Sequence, residues 1–206
     1  MKKVLILLIL LLVSVGLIVG CAKRPPIGTQ KVVETSGSRP DWITVIPTAK
    51  KGMMFFRGIK TRAPNLDGGL TDSRMHAARQ VAEMVETKAN VDYENARLEY
   101  GIPRDDKDVG TVIRDGLIML SEAMIQGVKE KEIYYEKVSE VVPEGVTYFY
   151  SCYILMTISE QDYRMIASQV IDRQKAKARA MKNKKAEEFL DKMKERVMQT
   201  RFEAEE

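Results

Sequence analysis

The chain has one histidine, one tryptophan and two cysteines in 206 residues. One histidine excludes a histidine cluster for zinc, and no Cys-x-x-Cys, His-Glu-x-x-His or Gly-x-Ser-x-Gly sequence is present. Two cysteines allow at most one disulfide. Neither sign of charge dominates, with 33 Lys and Arg against 29 Asp and Glu and a formal net charge of +4. Overall charge therefore selects no partner class, and any electrostatic argument rests on local clusters.

Long apolar runs are also scarce, with one exception at the start. Lys2 and Lys3 precede an unbroken apolar stretch from Val4 to Gly20, which stops at Cys21. A basic n-region, an apolar h-region and a small residue before a cleavage point describe an export signal. Ile18-Val19-Gly20-Cys21 resembles the lipobox of bacterial lipoproteins, in which the cysteine is acylated and the preceding signal removed. An ordinary signal peptide is the alternative, but it lacks its usual Ala-x-Ala ending here. A retained membrane helix is another, and the run is at the short limit of the ~17–25 residues needed to span. The lipoprotein reading is favoured, with Cys21 as the lipidation site. Losing Lys2 and Lys3 leaves 31 basic against 29 acidic residues, a net of +2. Cys152 is then left without a disulfide partner in its chain, in an apolar stretch where a cysteine is more often a small buried hydrophobe than a nucleophile.

Residues 21–39 comprise the lipidated cysteine and a stretch rich in Pro, Gly, Ser, Thr and charge, expected as a flexible tether. The folded part is expected to begin at Pro40-Asp41-Trp42-Ile43. There Trp42 plugs the end of the core and its N–H finds a carbonyl; stacking on carbohydrate is the alternative. Met53 to Ile59 suits a strand, with Gly58 marking a bulge or a close backbone approach. A loop over Ala63 to Gly69 leads to a helix capped by Thr71, with an apolar stripe of Met75, Ala78, Val81, Ala82, Val85 and Ala89. A polar joint follows over Tyr93 to Arg104. A second helix starts at Asp105-Asp106-Lys107-Asp108, buries Val109, Val112, Ile113, Leu117, Leu120 and Met124, and stops at Gly127. Ile133 to Val142 reads as an edge-type strand, Pro143-Glu144-Gly145 as a turn, and Val146 to Ile158 as the best strand of the chain. Together these make an antiparallel hairpin. Ser159 caps a last helix running to about Thr200, whose part beyond Asp172 is expected to project.

The residues Pro40-Asp41-Trp42-Ile43, Phe56-Arg57-Gly58-Ile59, Ala77, Ala78, Val81, Ala82 and Val85, then Tyr148, Tyr150, Tyr153, Ile154 and Leu155, resemble the bacterial LPP-twenty lipoprotein family, some members of which are flagellum-associated. The resemblance spans about residues 40–170. It implies a small domain with helices against an antiparallel sheet, an envelope location, and no catalytic residues to carry over. The sequence departs from the pattern at Lys60, where relatives often show glycine. Pattern and resemblance together give an α+β fold class, a small antiparallel sheet packed by helices. The expected division is 1–20 signal, 21–39 tether, 40–172 α+β domain and 173–206 basic helical extension.

Candidate chemistry is thin. His76 is a possible base or, more simply, a partly exposed helical histidine. Asp105, Asp106 and Asp108 invite a calcium reading but lack the glycine and distal glutamate of an EF-hand loop. Gly68-Gly69 is too isolated to cradle phosphate, and the twelve methionines are scattered. No cofactor is expected beyond covalent lipid. The one cluster that stands out is Arg173, Lys175, Lys177, Arg179, Lys182, Lys184 and Lys185, with no acid among them. It reads either as solvated charge or as a face for an anionic membrane, polymer or protein. Nucleic acid is disfavoured, because no stacking aromatics interleave the lysines. Phe189, Leu190, Met193 and Val197 form a short seam that suits a partner or a second copy.

The expectation is a non-catalytic lipid-anchored envelope protein that scaffolds or binds envelope components, flagellar ones being one class of these. An accessory subunit of an envelope enzyme or secretion complex is the alternative. A hydrolase is a third reading and requires a polar cleft. Ala22 after the lipid site, rather than Asp, resembles sorting to the outer membrane.

Overall fold

A computed structural model describes residues 25–49, 52–99, 101 and 107–201. The signal segment and Cys21 lie outside the described residues, as do the side chains of Asp105, Asp106 and Asp108. Among the described residues the fold is α+β, a four-stranded antiparallel sheet of order β1-β3-β4-β2 with four helices. Its strands are β1 (Gln30–Thr35), β2 (Met53–Ala63), β3 (Lys129–Val142) and β4 (Gly145–Ser159). The helices are α1 (Leu66–Glu99), α2 (Lys107–Gly127), α3 (Glu160–Ala180) and α4 (Lys184–Gln199).

The hairpin follows from its sequence. β3 and β4 pair from Lys129↔Thr157 to Val142↔Gly145, with the turn at Pro143-Glu144. Along β4, Cys152, Ile154 and Ile158 point to one face and are fully buried, and Met156 between them is half-buried. Alternate residues Tyr153 and Leu155 point to the other and are buried too. A strand covered on both faces carries the near-continuous apolar run seen here.

Two expectations about strands are corrected. The tether over residues 21–39 contains β1, which pairs with β3 at Gln30↔Glu140, Lys31↔Ser139 and Val32↔Val138. β3 is consequently an inner strand. β1 escaped the sequence pattern because it lies at the sheet edge with all six residues exposed, so no apolar alternation marks it. The folded body begins about ten residues earlier than Pro40.

One face of the sheet is covered by helices. α1 starts at Leu66, inside the expected loop, because Asn65 rather than Thr71 supplies the cap: its Oδ1 accepts the Gly68 N–H at 2.7 Å. It then runs to Glu99, through much of the expected polar joint. Its buried ridge is Gly69, Ser73, Ala77, Val81 and Val85, at strict four-residue spacing, while Met75 is exposed. Small residues bring helix and sheet backbones together. A Cβ on Gly58 would overlap the Ser73 carbonyl, and one on Gly69 would lie 2.5 Å from Cys152 Sγ. Gly58 is thus the close backbone approach its position in the strand predicts.

The C-terminal segment is corrected as well. It forms two helices, not one. Lys182 adopts φ +55° and Asn183 caps α4, accepting the Ala186 N–H at 3.0 Å. The chain reverses there, and α4 returns against α3. Phe189, Leu190 and Val197 are buried in the same core as Phe56, Val81, Met124 and Tyr163. The apolar seam is covered by the chain's own helices, and the segment beyond Asp172 does not project. At the other end of α3 the expected cap is present, with Ser159 Oγ accepting the Asp162 N–H at 3.0 Å.

Candidate functional surfaces

The basic cluster is threaded through the helical hairpin. Arg179 Nε meets Glu187 at 2.8 Å, Lys175 pairs with Asp191, and Asp172 receives Lys194 at 2.6 Å, three rungs linking antiparallel α3 and α4. Lys177 reaches across to Asp115 of α2 at 2.6 Å. Carboxylates of the same body therefore face three of the seven cations. Arg173, Lys182 and Lys184 are exposed without an ion-pair partner among the described residues. What the sequence presents as a uniform cationic face is an alternating field. Asp115 comes from a segment distant in sequence, and Glu187 and Asp191 are brought opposite only by the reversal at Lys182, so the run itself did not reveal them.

The face of the sheet opposite the helices carries a short strap, residues 39–43. Trp42 and Ile43 are buried there against Tyr134, Tyr153 and Leu155. Trp42 thus covers the outer face of the sheet, not the end of the main core, and its Nε1 donates to the Glu132 carboxylate at 2.6 Å, not to a carbonyl. Glu136 accepts from Arg39 Nη1 at 2.9 Å and from the Tyr134 hydroxyl at 3.1 Å. Burial, then the Glu136 carboxylate, raises the Tyr134 pKa above the ordinary phenol range. Arg57 Nη1 donates to the Ile43 carbonyl. Arg62, in the left-handed region at φ 57° where β2 breaks register, makes a two-pronged pair with Glu140 and lies 4.6 Å from the Phe149 ring centroid. That pair holds the Glu140 carboxyl below its usual range.

The reactive candidates are spent inside the fold. His76 Nδ1 accepts the Ile59 backbone N–H at 3.0 Å, fixing the ring against β2. Cys152 is fully buried, and desolvation pushes its thiol up to about 11, so it stays protonated at neutral pH. Among the described residues no three His, Cys, Asp or Glu side chains gather into a metal-holding group. An apolar gap of about 50 Å³ lies between α2, α3 and α4, bordered by Leu117, Val170, Phe189 and Gln174. The Gln174 Nε2 faces Met119 Sδ at 2.7 Å, and its Oε1 is buried without a partner among the described residues.

The surface that sequence reasoning missed is at the hairpin end. β2 pairs with β4 only as far as Ala63↔Tyr150, so the hairpin beyond Tyr150 is flanked by β1 alone. Val146 and Tyr148 point to one side of this projecting end and are 56% and 55% exposed. Ile27, one residue before Gly28 joins the same end of the sheet, is 69% exposed. The available signal was the run Val146 to Tyr150, which has only Thr147 to solvate it.

No protein-family model, curated protein or solved structure matches the chain. The class is thus defined by the fold alone, an α+β domain with a strapped antiparallel sheet.

Proposed function

We propose that the protein is a lipid-anchored, non-catalytic component of the bacterial cell envelope, attached through Cys21 and binding or scaffolding other envelope proteins. The observation that carries this reading is how near to Cys21 the sheet begins. Gly28 N already donates to the Val141 carbonyl at 2.8 Å, so only seven peptide links separate the sheet from Cys21. Such a stretch spans at most about 25 Å. A domain on so short a leash works at the membrane surface, not at a distance from it. The lipobox-like sequence and the resemblance to the LPP-twenty family point the same way. Ala22 agrees with an outer-membrane destination.

The test is acylation followed by partner capture. Wild-type protein should incorporate labelled palmitate and sediment with membranes, and Cys21→Ser should do neither. Continued labelling of the Cys21→Ser protein ends the reading. Cross-linking in the intact envelope should then recover envelope proteins that Cys21→Ser loses. Equal recovery by both proteins would show that the anchor has no part in assembly.

A further inference from the structure

We propose that the projecting end of the β3–β4 hairpin rests on the phospholipid surface, with Val146 and Tyr148 at headgroup depth and Ile27 beside them. This rests on the reading of Cys21 as the lipid site and goes beyond it by assigning a contact face and an orientation. Two independent features converge on the same end of the molecule. The first is where the chain enters. Gly28 is bonded to Val141, and Val141 is paired with Val146, so the tether joins the sheet two strands from the exposed patch. Two strand spacings amount to about 10 Å. The second is the composition of that end: Val146, Tyr148 and Ile27 are each more than half exposed. A tyrosine with an apolar body and a polar tip suits the membrane–water interface.

Charge sets the depth. Glu144, exposed in the turn, opposes entry into hydrocarbon and keeps the tip among the headgroups. Lys31 on β1 lies beside the patch, Lys23 and Arg24 precede it in sequence, and the acids nearby are matched within the fold, Glu34 by Lys137 and Glu140 by Arg62. This balance suits a leaflet containing anionic lipid. The apolar area is small, and by itself it would not hold a soluble domain on a bilayer. Tethering changes that, because a short linker gives the surface a high effective concentration and a weak contact becomes populated. The opposite end of the sheet, where Ser159 leads into α3, then faces away from the membrane with the helices.

The experiment uses acylated full-length protein in vesicles of phosphatidylethanolamine and phosphatidylglycerol. An environment-sensitive fluorophore is placed at Val146→Cys or, as a control on the exposed α3–α4 reversal, at Met181→Cys; the buried Cys152 serves as the unlabelled background. The label at 146 should shift to the blue, lose quenching by iodide and gain quenching by headgroup-labelled nitroxide lipid, while the label at 181 stays open to iodide. Adding Tyr148→Asp should return the label at 146 to water without altering acylation or the thermal midpoint. Equal exposure of both labels in a protein shown by mass spectrometry to be acylated overturns the docking proposal and leaves the proposed function standing. Protection at 146 that persists in lipid-free amphipol assigns the patch to a protein contact and also overturns it. Absence of acylation at Cys21 removes both.

Discussion

The two faces of the sheet are closed in different ways. The helix face is dry and distributed: α1 lays small residues on β2 and β4, and α2, α3 and α4 complete a core with Phe56, Met124, Tyr163 and Phe189. The outer face is closed by residues 39–43, and its apolar content is concentrated in Trp42, Ile43, Tyr134, Tyr153 and Leu155. Charged hydrogen bonds surround that smaller cluster, from Trp42 to Glu132, from Arg39 and Tyr134 to Glu136, and from Arg62 to Glu140. A long amphipathic helix satisfies its own backbone and offers a stripe of side chains, so many modest contacts suffice. A strap of five residues has neither advantage. It needs one large side chain and partners for its polar atoms. The first face should fail by loss of an element, the second by loss of a residue.

Removal of an element gives the largest expected effect. Truncation after Asp172 deletes Phe189, Leu190, Val197 and Ala186 from the main core together with the last 8 of the 21 residues of α3. Each large core deletion costs about 2–5 kcal/mol, so the sum is comparable to the whole ~5–15 kcal/mol that holds a domain together. The truncated protein should be unfolded by circular dichroism at every temperature. A cooperative melt would show that α4 is an appendage after all, and would restore a projecting basic extension.

On the outer face, Trp42→Ala should cost on the order of 3–5 kcal/mol, read as a shift in the denaturation midpoint of the domain. Trp42→Phe retains most of the area and loses only the bond to the half-exposed Glu132, which should cost about 1 kcal/mol. If both variants cost the same, the hydrogen bond rather than the buried ring secures the strap.

Gly58 tests the helix face at a single point. In Gly58→Ala the new methyl group meets backbone at Ser73, which a side-chain rotation cannot relieve, so α1 must move bodily. Overpacking costs about 1–3 kcal/mol and occasionally more, and this site belongs at the upper end. A neutral result in urea denaturation would mean that α1 sits farther from β2 than its small-residue ridge implies.

These sites differ in how well the sequence announces them. The hairpin and the Ser159 cap are legible because alternation, turn chemistry and a capping hydroxyl act locally. Gly58 is legible as a bulge or a close approach, and the Ser73 carbonyl against it selects the second. The start of α1 is not, since Gly68 and Gly69 read as loop although Gly69 is needed where the helix meets Ala63 and Cys152. β1 is hidden by its exposure on both faces. The break between α3 and α4 is hidden because Lys182 takes a conformation usually left to glycine. Trp42 is recognisable as buried, but which face it covers depends on β1 being in the sheet. As for function, Cys21 is legible only as a motif, and the hairpin end becomes a candidate surface only once β1 brings the tether beside it.

Acid should separate the faces by the smallest amount. The Lys129 ammonium at 3.1 Å, then the Ser159 hydroxyl, hold the Asp162 carboxyl below its ordinary range at the start of α3. On the outer face Arg62, then Gln30, do the same for Glu140. A carboxyl whose folded pKa is depressed binds its proton more readily in the unfolded chain. Its contribution is complete above the unfolded value and is lost as pH falls through the folded one. Both pairs should therefore weaken the fold below the normal carboxylate range and leave it unaffected near neutrality. They are solvent-accessible, so Asp162→Asn and Glu140→Gln should each lower the neutral-pH melting temperature by only about 1–3 °C. The gap from wild type should close as both are titrated to low pH. Because Arg62 grips Glu140 with two nitrogens and Lys129 holds Asp162 with one, the Glu140→Gln gap should be the larger and should persist to lower pH. Gaps that stay constant across the titration would show that the substituted side chains act by shape and packing, and that neither face is tuned by its charges.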